Sequence, residues 1–84
     1  MKTAEFIIAF DEGLHARPAS ELIGICSEIK SDIQIIKDDM TADPKSILEV
    51  MALGAENGEK VKVVVEGEDE EEAFKLISDF FERK

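Results

Sequence analysis

The chain has 84 residues, of which 44% are apolar and 36% charged, with 20 acids against 10 bases and a formal net charge of −10. One small hydrophobic core fits in this length, but not a deep cleft between two lobes. The acidic balance argues against nucleic acid and anionic membrane surfaces as partners, since both need a cationic face.

Thr3 to Phe10 (TAEFIIAF) is rich in strand-forming residues and ends at Asp11-Glu12-Gly13, which reads as a first strand and a turn. From Ala16 to Ile29, Ala19, Leu22, Ile23, Cys26 and Ile29 recur at helical spacing, with Pro18 in the first turn where its missing N–H does no harm. Cys26 is the lone cysteine; among Leu22, Ile23 and Ile29 it is expected to pack as a small hydrophobe. Ile33, Ile35 and Ile36 mark a second strand, and Lys37-Asp38-Asp39 a polar turn. A short third strand follows at Met40 to Ala42. Pro44 blocks its continuation, and Ser46 opens a short helix running to Leu53 and stopping at Gly54.

Val61, Val63 and Val65 give a fourth strand with one apolar face. Asp69 is expected to cap a last helix whose stripe is Ala73, Phe74, Ile77, Phe80 and Phe81, with Arg83 and Lys84 closing it. The predicted order is β-α-β-β-α-β-α. Each helix has one apolar stripe, so the expected fold is α+β: a four-stranded antiparallel sheet with three helices on one face and water on the other. No composition shift divides residues 1–84 into more than one domain. With no signal-like or membrane-length apolar stretch, a soluble, cytoplasmic protein is expected.

The only histidine is His15, between Gly13 and the helix starting at Ala16-Arg17-Pro18. Free N–H groups and the dipole at a helix start favour an anion there. Arg17 offers planar, charge-assisted hydrogen bonds to phosphate oxygens. An imidazole that is partly neutral at physiological pH is both nucleophile and leaving group, so a phosphoryl group can be accepted and given up. On spacing alone, the simpler reading is a polar residue at a helix cap. One histidine without a second ligand makes no zinc site, and neither a Ser-His-Asp set nor a Gly-rich phosphate loop can be assembled. No metal and no cofactor are expected.

Ser46-Ile47-Leu48-Glu49 has the form of a capping box, sufficient by itself to explain the serine. The short helix is more apolar than one buried face requires. If Val50 and Leu53 point inward, Ile47, Leu48 and Met51 remain partly exposed as an adaptable docking patch.

Gly13-Leu14-His15-Ala16-Arg17-Pro18-Ala19 resembles the active-site signature of the HPr family of the bacterial phosphoenolpyruvate:sugar phosphotransferase system. Lys45-Ser46-Ile47, followed by Val50-Met51 and Leu53-Gly54, resembles its second motif. The likeness covers essentially the whole chain and implies the family's open-faced β-sandwich. It implies a phosphocarrier, not a stand-alone enzyme. His15 would accept phosphate on Nδ1 from enzyme I, itself charged by phosphoenolpyruvate, and pass it to sugar-specific IIA proteins or domains, with Arg17 steadying the phosphoryl oxygens.

Ala16, Ser20, Lys45, Ile47, Leu48 and Met51 would dock partners, the chain acting as a monomer. Ser46 matches the site where an ATP-dependent HPr kinase/phosphorylase adds a regulatory phosphate in some members, a form that serves a catabolite-control repressor. One departure concerns Gly24, Ser27 and Glu49, which stand where many relatives carry lysines, leaving Arg17 and Lys45 as the basic residues around the centre. A regulatory paralogue for nitrogen or catabolite control shares the same residues. A ferredoxin-like interaction module with His15 as a plain cap is the rival of a different class.

Overall fold

A computed structural model describes residues 1–82; Arg83 and Lys84, expected to close the last helix, lie outside the described residues. The chain runs β1 Lys2–Ile7, α1 Ala16–Cys26, β2 Asp32–Lys37, β3 Met40–Ala42, α2 Ile47–Leu53, β4 Lys60–Glu66 and α3 Glu70–Glu82. The four strands form one antiparallel sheet in the order β1-β4-β2-β3. Alternation along the strands sends Phe6, Ile33, Ile35, Val61, Val63 and Val65 to the buried face, where the helices lie. Thr3, Glu5, Gln34 and Lys62 on the other face are exposed, as the expected open sandwich requires.

Two boundaries differ from the sequence reading. β1 ends at Ile7, paired with Lys60 at the start of β4, because no regular strand continues opposite it. Ile8 still exchanges backbone bonds with Glu59 and Gly58, but the Phe10 carbonyl turns to accept from Gly13 at 2.9 Å and from the Asn57 side chain at 3.1 Å. α1 stops at Cys26 rather than Ile29. There the Ser27 hydroxyl donates to the Gly24 carbonyl at 2.9 Å, and the Ile29 amide makes a tighter three-residue turn to the Cys26 carbonyl. Ile29 is still buried, at the foot of the helix.

Asp69 stands at the N-cap position of α3, its backbone carbonyl accepting from Ala73 at 2.8 Å. Its carboxylate, however, does not stay on its own helix. It accepts from the amides of Lys30 and Ser31, both at 2.9 Å, and from the Ser31 hydroxyl. Asp69 thereby pins the α1–β2 connection to the start of α3.

The apolar stripe of α3 packs as the periodicity predicts, with Ala73, Ile77, Phe80 and Phe81 buried and Phe74 half-buried. Phe6 stacks on Phe81 with centroids 5.1 Å apart, and Phe80 meets Phe81 edge-on at the same separation. Cys26 is fully buried; the loss of solvent pushes its thiol up to about 12, so it packs as an inert small hydrophobe. Among the described residues, no helix is long and apolar enough to cross a membrane.

Candidate functional site

The loop joining β1 to α1 is held at both ends. Gly13 has φ +76, and a Cβ there would lie 2.7 Å from the Ala55 carbonyl oxygen and 2.9 Å from Glu56 Cα. Only glycine fits so close an approach with that backbone. The next residue, Leu14, is wholly buried and its amide donates to the Ala55 carbonyl at 2.7 Å. With Leu14 turned inward, the extended backbone of His15 (φ −129, ψ 172) leaves the imidazole half-exposed.

His15 occupies the N-cap position of α1, but its side chain makes no capping hydrogen bond. Ala16 follows with φ +45, in the left-handed region that a side chain disfavours. This turn delivers the chain into the helix abruptly, and the first backbone bond, from the Ala19 amide to the His15 carbonyl, is long at 3.4 Å. The amides of Ala16 and Arg17 have no intrahelical acceptor, and Pro18 contributes none. Donors therefore remain at the helix start beside the imidazole. Arg17 and Ser20 are exposed, and an open depression of about 580 Å³ runs along Phe10, Asp11, Glu12, Ala16, Arg17 and Pro18.

The second motif lies at the start of α2. Ser46 is the N-cap, its hydroxyl accepting from the Glu49 amide at 3.4 Å. The reciprocal half of the expected capping box does not form. Glu49 accepts instead from the Asp43 amide at 2.9 Å, while the Ser46 amide donates to the Asp43 carbonyl. Asp43 also takes the Lys45 amide on its carboxylate at 2.9 Å, so the loop before α2 folds around this aspartate and leaves the Ser46 amide occupied. Gly54 ends α2 with φ +66, as its position predicts, and Lys37 donates to its carbonyl at 3.1 Å.

Two contacts fix how the helices lie. Leu14 meets Ala55 at one end, and the Lys45 ammonium donates to the Ser31 carbonyl at 3.2 Å at the other. α1 and α2 are thus antiparallel neighbours, with the end of α2 beside His15. Lys45 and Ser46 lie near the far end of α1, about 16 Å away at the usual helical rise. Of the two basic residues, only Arg17 stands beside the histidine.

Val50 and Leu53 point into the core; Leu48 is 79% exposed, Met51 42% and Ile47 37%. Along α1, Gly24 and Ser27 are exposed, as is Glu49 on α2. Among the described residues, no group of three His, Cys, Asp or Glu side chains is arranged to hold a metal ion. The supports from Asn57, Lys37 and Asp69 have no local signature in the sequence, because each reaches a residue far away along the chain.

Comparison with known proteins agrees with this geometry. Residues 2–83 match the family described as the PTS HPr component phosphorylation site. The chain is 40% identical over 78 residues to the phosphocarrier protein HPr of Lysinibacillus sphaericus, covering 93% of this chain and 89% of that one. It is 36% identical over 80 residues to the multiphosphoryl transfer protein of Salmonella typhimurium, covering 92% of this chain and 21% of that longer protein. The crystal structure of HPr-C-His from Thermoanaerobacter tengcongensis superimposes with a TM-score of 0.94 at 41% identity, over 98% of this chain and 92% of that one. The chain belongs to the HPr family, the phosphocarrier proteins of the phosphotransferase system.

Proposed function

We propose that His15 is the phosphoryl carrier of this chain, charged on Nδ1 by enzyme I with phosphate from phosphoenolpyruvate and discharged to IIA proteins or domains. The observation that carries the reading is the state of His15: at the mouth of α1, half-exposed, with its imidazole unused for capping. In each transfer an N–P bond forms at one partner as the bond to phosphorus breaks at the other. Free amides at Ala16 and Arg17, together with the Arg17 guanidinium, supply donors for the phosphoryl oxygens.

Ala16, Ser20, Ile47, Leu48 and Met51 are proposed to meet the partner, and their exposure supports this. One copy carries every residue named, so the chain is proposed to act as a monomer, in the cytoplasm where its partners work. The test is incubation with enzyme I and labelled phosphoenolpyruvate. Acid-labile label that is lost in His15→Ala supports the reading. No label under conditions that charge a reference HPr overturns it.

Ser46 is proposed as a second, regulatory phosphorylation site for an HPr kinase/phosphorylase, with the product read by a catabolite-control repressor. Its support is the half-exposed hydroxyl at the start of α2. Acid-stable label from ATP and the kinase, lost in Ser46→Ala, is the expected result. A kinase that labels a reference HPr but not this chain removes the second site.

A further inference from the structure

We infer that the face around His15 docks onto partners whose contact surface is rimmed by cationic side chains around an apolar pocket. This rests on the carrier reading of His15 and adds the electrostatic character of the partner. The centre of the face is apolar: Leu48 and Met51 stand out from α2, next to the site that Leu14 and Ala55 tie together. The edge is acidic. The backbone of the exposed Glu56 passes beside the His15 loop: a Cβ on Gly13 would lie 2.9 Å from Glu56 Cα and 3.4 Å from His15 Cδ2. Asp11 and Glu12 line the same open depression as Arg17. Glu49 is not part of this edge, since its carboxylate accepts from the Asp43 amide at the other end of α2.

Opposing these acids is Arg17, because the Lys45 ammonium is engaged by the Ser31 carbonyl at the other end of α1. Among the described residues, the ion pairs join Met1 to Glu70, Lys2 to Glu71, Lys37 to Glu59 and Lys60 to Glu5, and involve none of the acids on this face. Gly24 and Ser27, exposed on α1, add no charge. A phosphoryl group on His15 makes the face more negative still. A partner with an acidic rim would therefore be repelled at approach, and a basic rim would be attracted, most strongly by the phosphorylated form. The apolar centre then supplies contact area that salt does not screen.

The experiment follows the charging of the full chain by its cognate enzyme I and phosphoenolpyruvate, at ionic strengths of about 0.03 M and about 0.3 M. Asp11, Glu12 and Glu56 are exposed, so the triple variant Asp11→Asn/Glu12→Gln/Glu56→Gln is expected to keep the fold. Loss of steering should raise KM about fivefold at low salt, with kcat within about twofold, and flatten its salt dependence. A second variant, Gly24→Lys, adds a cation to α1 two turns beyond Arg17 and on the same stripe; there a new side chain meets nothing within 4 Å. Its KM should also rise. A KM that is unchanged or lowered in both variants overturns the basic-rim inference while leaving the carrier role intact. Failure of the unsubstituted chain to become charged overturns the carrier role, and this inference with it.

Discussion

The amide of Leu14 donates to the carbonyl oxygen of Ala55 at 2.7 Å, binding the loop that presents His15 to the segment that leaves α2. Through this one bond, residues about forty positions apart build a single face. The loop thus gets its position from β1 and α1 and its rigidity from α2.

Gly13→Ala tests how close that joint is. The added methyl would lie 2.7 Å from the very oxygen that Leu14 needs, in a backbone with φ +76. Relief requires the loop to withdraw from Ala55, so a loss of about 2 kcal/mol or more is expected. Urea unfolding measures it, and charging of His15 should slow in parallel. A loss under about 0.5 kcal/mol means that the joint is looser than the distances imply.

Exposure along α2 separates packing from docking. Val50→Ala should lower stability by about 2 kcal/mol, since Val50 is wholly buried. Leu48→Ala and Met51→Ala should change stability by less than about 0.5 kcal/mol yet raise KM for charging by enzyme I. If stability falls as much in Leu48→Ala as in Val50→Ala, then Leu48 is a core residue and the docking assignment is wrong.

At Ser46 the cap bond is long, 3.4 Å to the Glu49 amide, and the reciprocal carboxylate bond is absent. Ser46→Ala should therefore lower stability by only about 0.5 kcal/mol, near the low end for N-caps. Ser46→Asp keeps an acceptor and a charge suited to a helix start, so its thermal midpoint should lie at or above that of Ser46→Ala. The reverse order would show that the hydroxyl does more than cap.

Asp69 predicts how acid acts on the fold. The Ser31 hydroxyl, the Lys30 amide and the Ser31 amide hold its carboxyl below the usual aspartate value. A pKa depressed in the folded state gives stability that is present above the unfolded value and lost as pH falls through the folded one. Asp69→Asn should thus lower the urea midpoint at neutral pH and flatten its decline in acid. Glu70, held low by the terminal amine, and Glu59, held low by the Glu56 amide and then Lys37, keep part of the slope. Parallel acid profiles for Asp69→Asn and the unsubstituted chain would show that the carboxylate does not couple to folding.

The element order, the antiparallel sheet and the buried stripes were legible because hydrophobic period and turn residues are local signals. Ile33 and Ile35 alternate into the core; Ala73, Ile77 and Phe81 recur at helical spacing. The ends of elements were less legible. Phe10 continues an apolar run, but its carbonyl accepts from Gly13 and the Asn57 side chain instead of a ladder, and Ile29 extends a helical stripe after Ser27 has already tightened the last turn. In both cases the competing hydrogen bonds, not residue preference, set the boundary.

For the site, the amino-acid sequence by itself determined which groups the proposed chemistry uses: one histidine, one arginine near it, a glycine before them and a helix start. Those are properties of neighbouring residues, and short-range order suffices to read them. The tertiary structure alone decided what surrounds that chemistry. Antiparallel packing of α1 and α2 brings Met51 and Glu56 towards His15 and sends Lys45 to Ser31. The capping carboxylates Glu49 and Asp69 likewise chose partners outside their own helices. The physical reason is that hydrogen bonds and charge act through space, so a side chain's partner depends on which distant segments the core has already brought within reach.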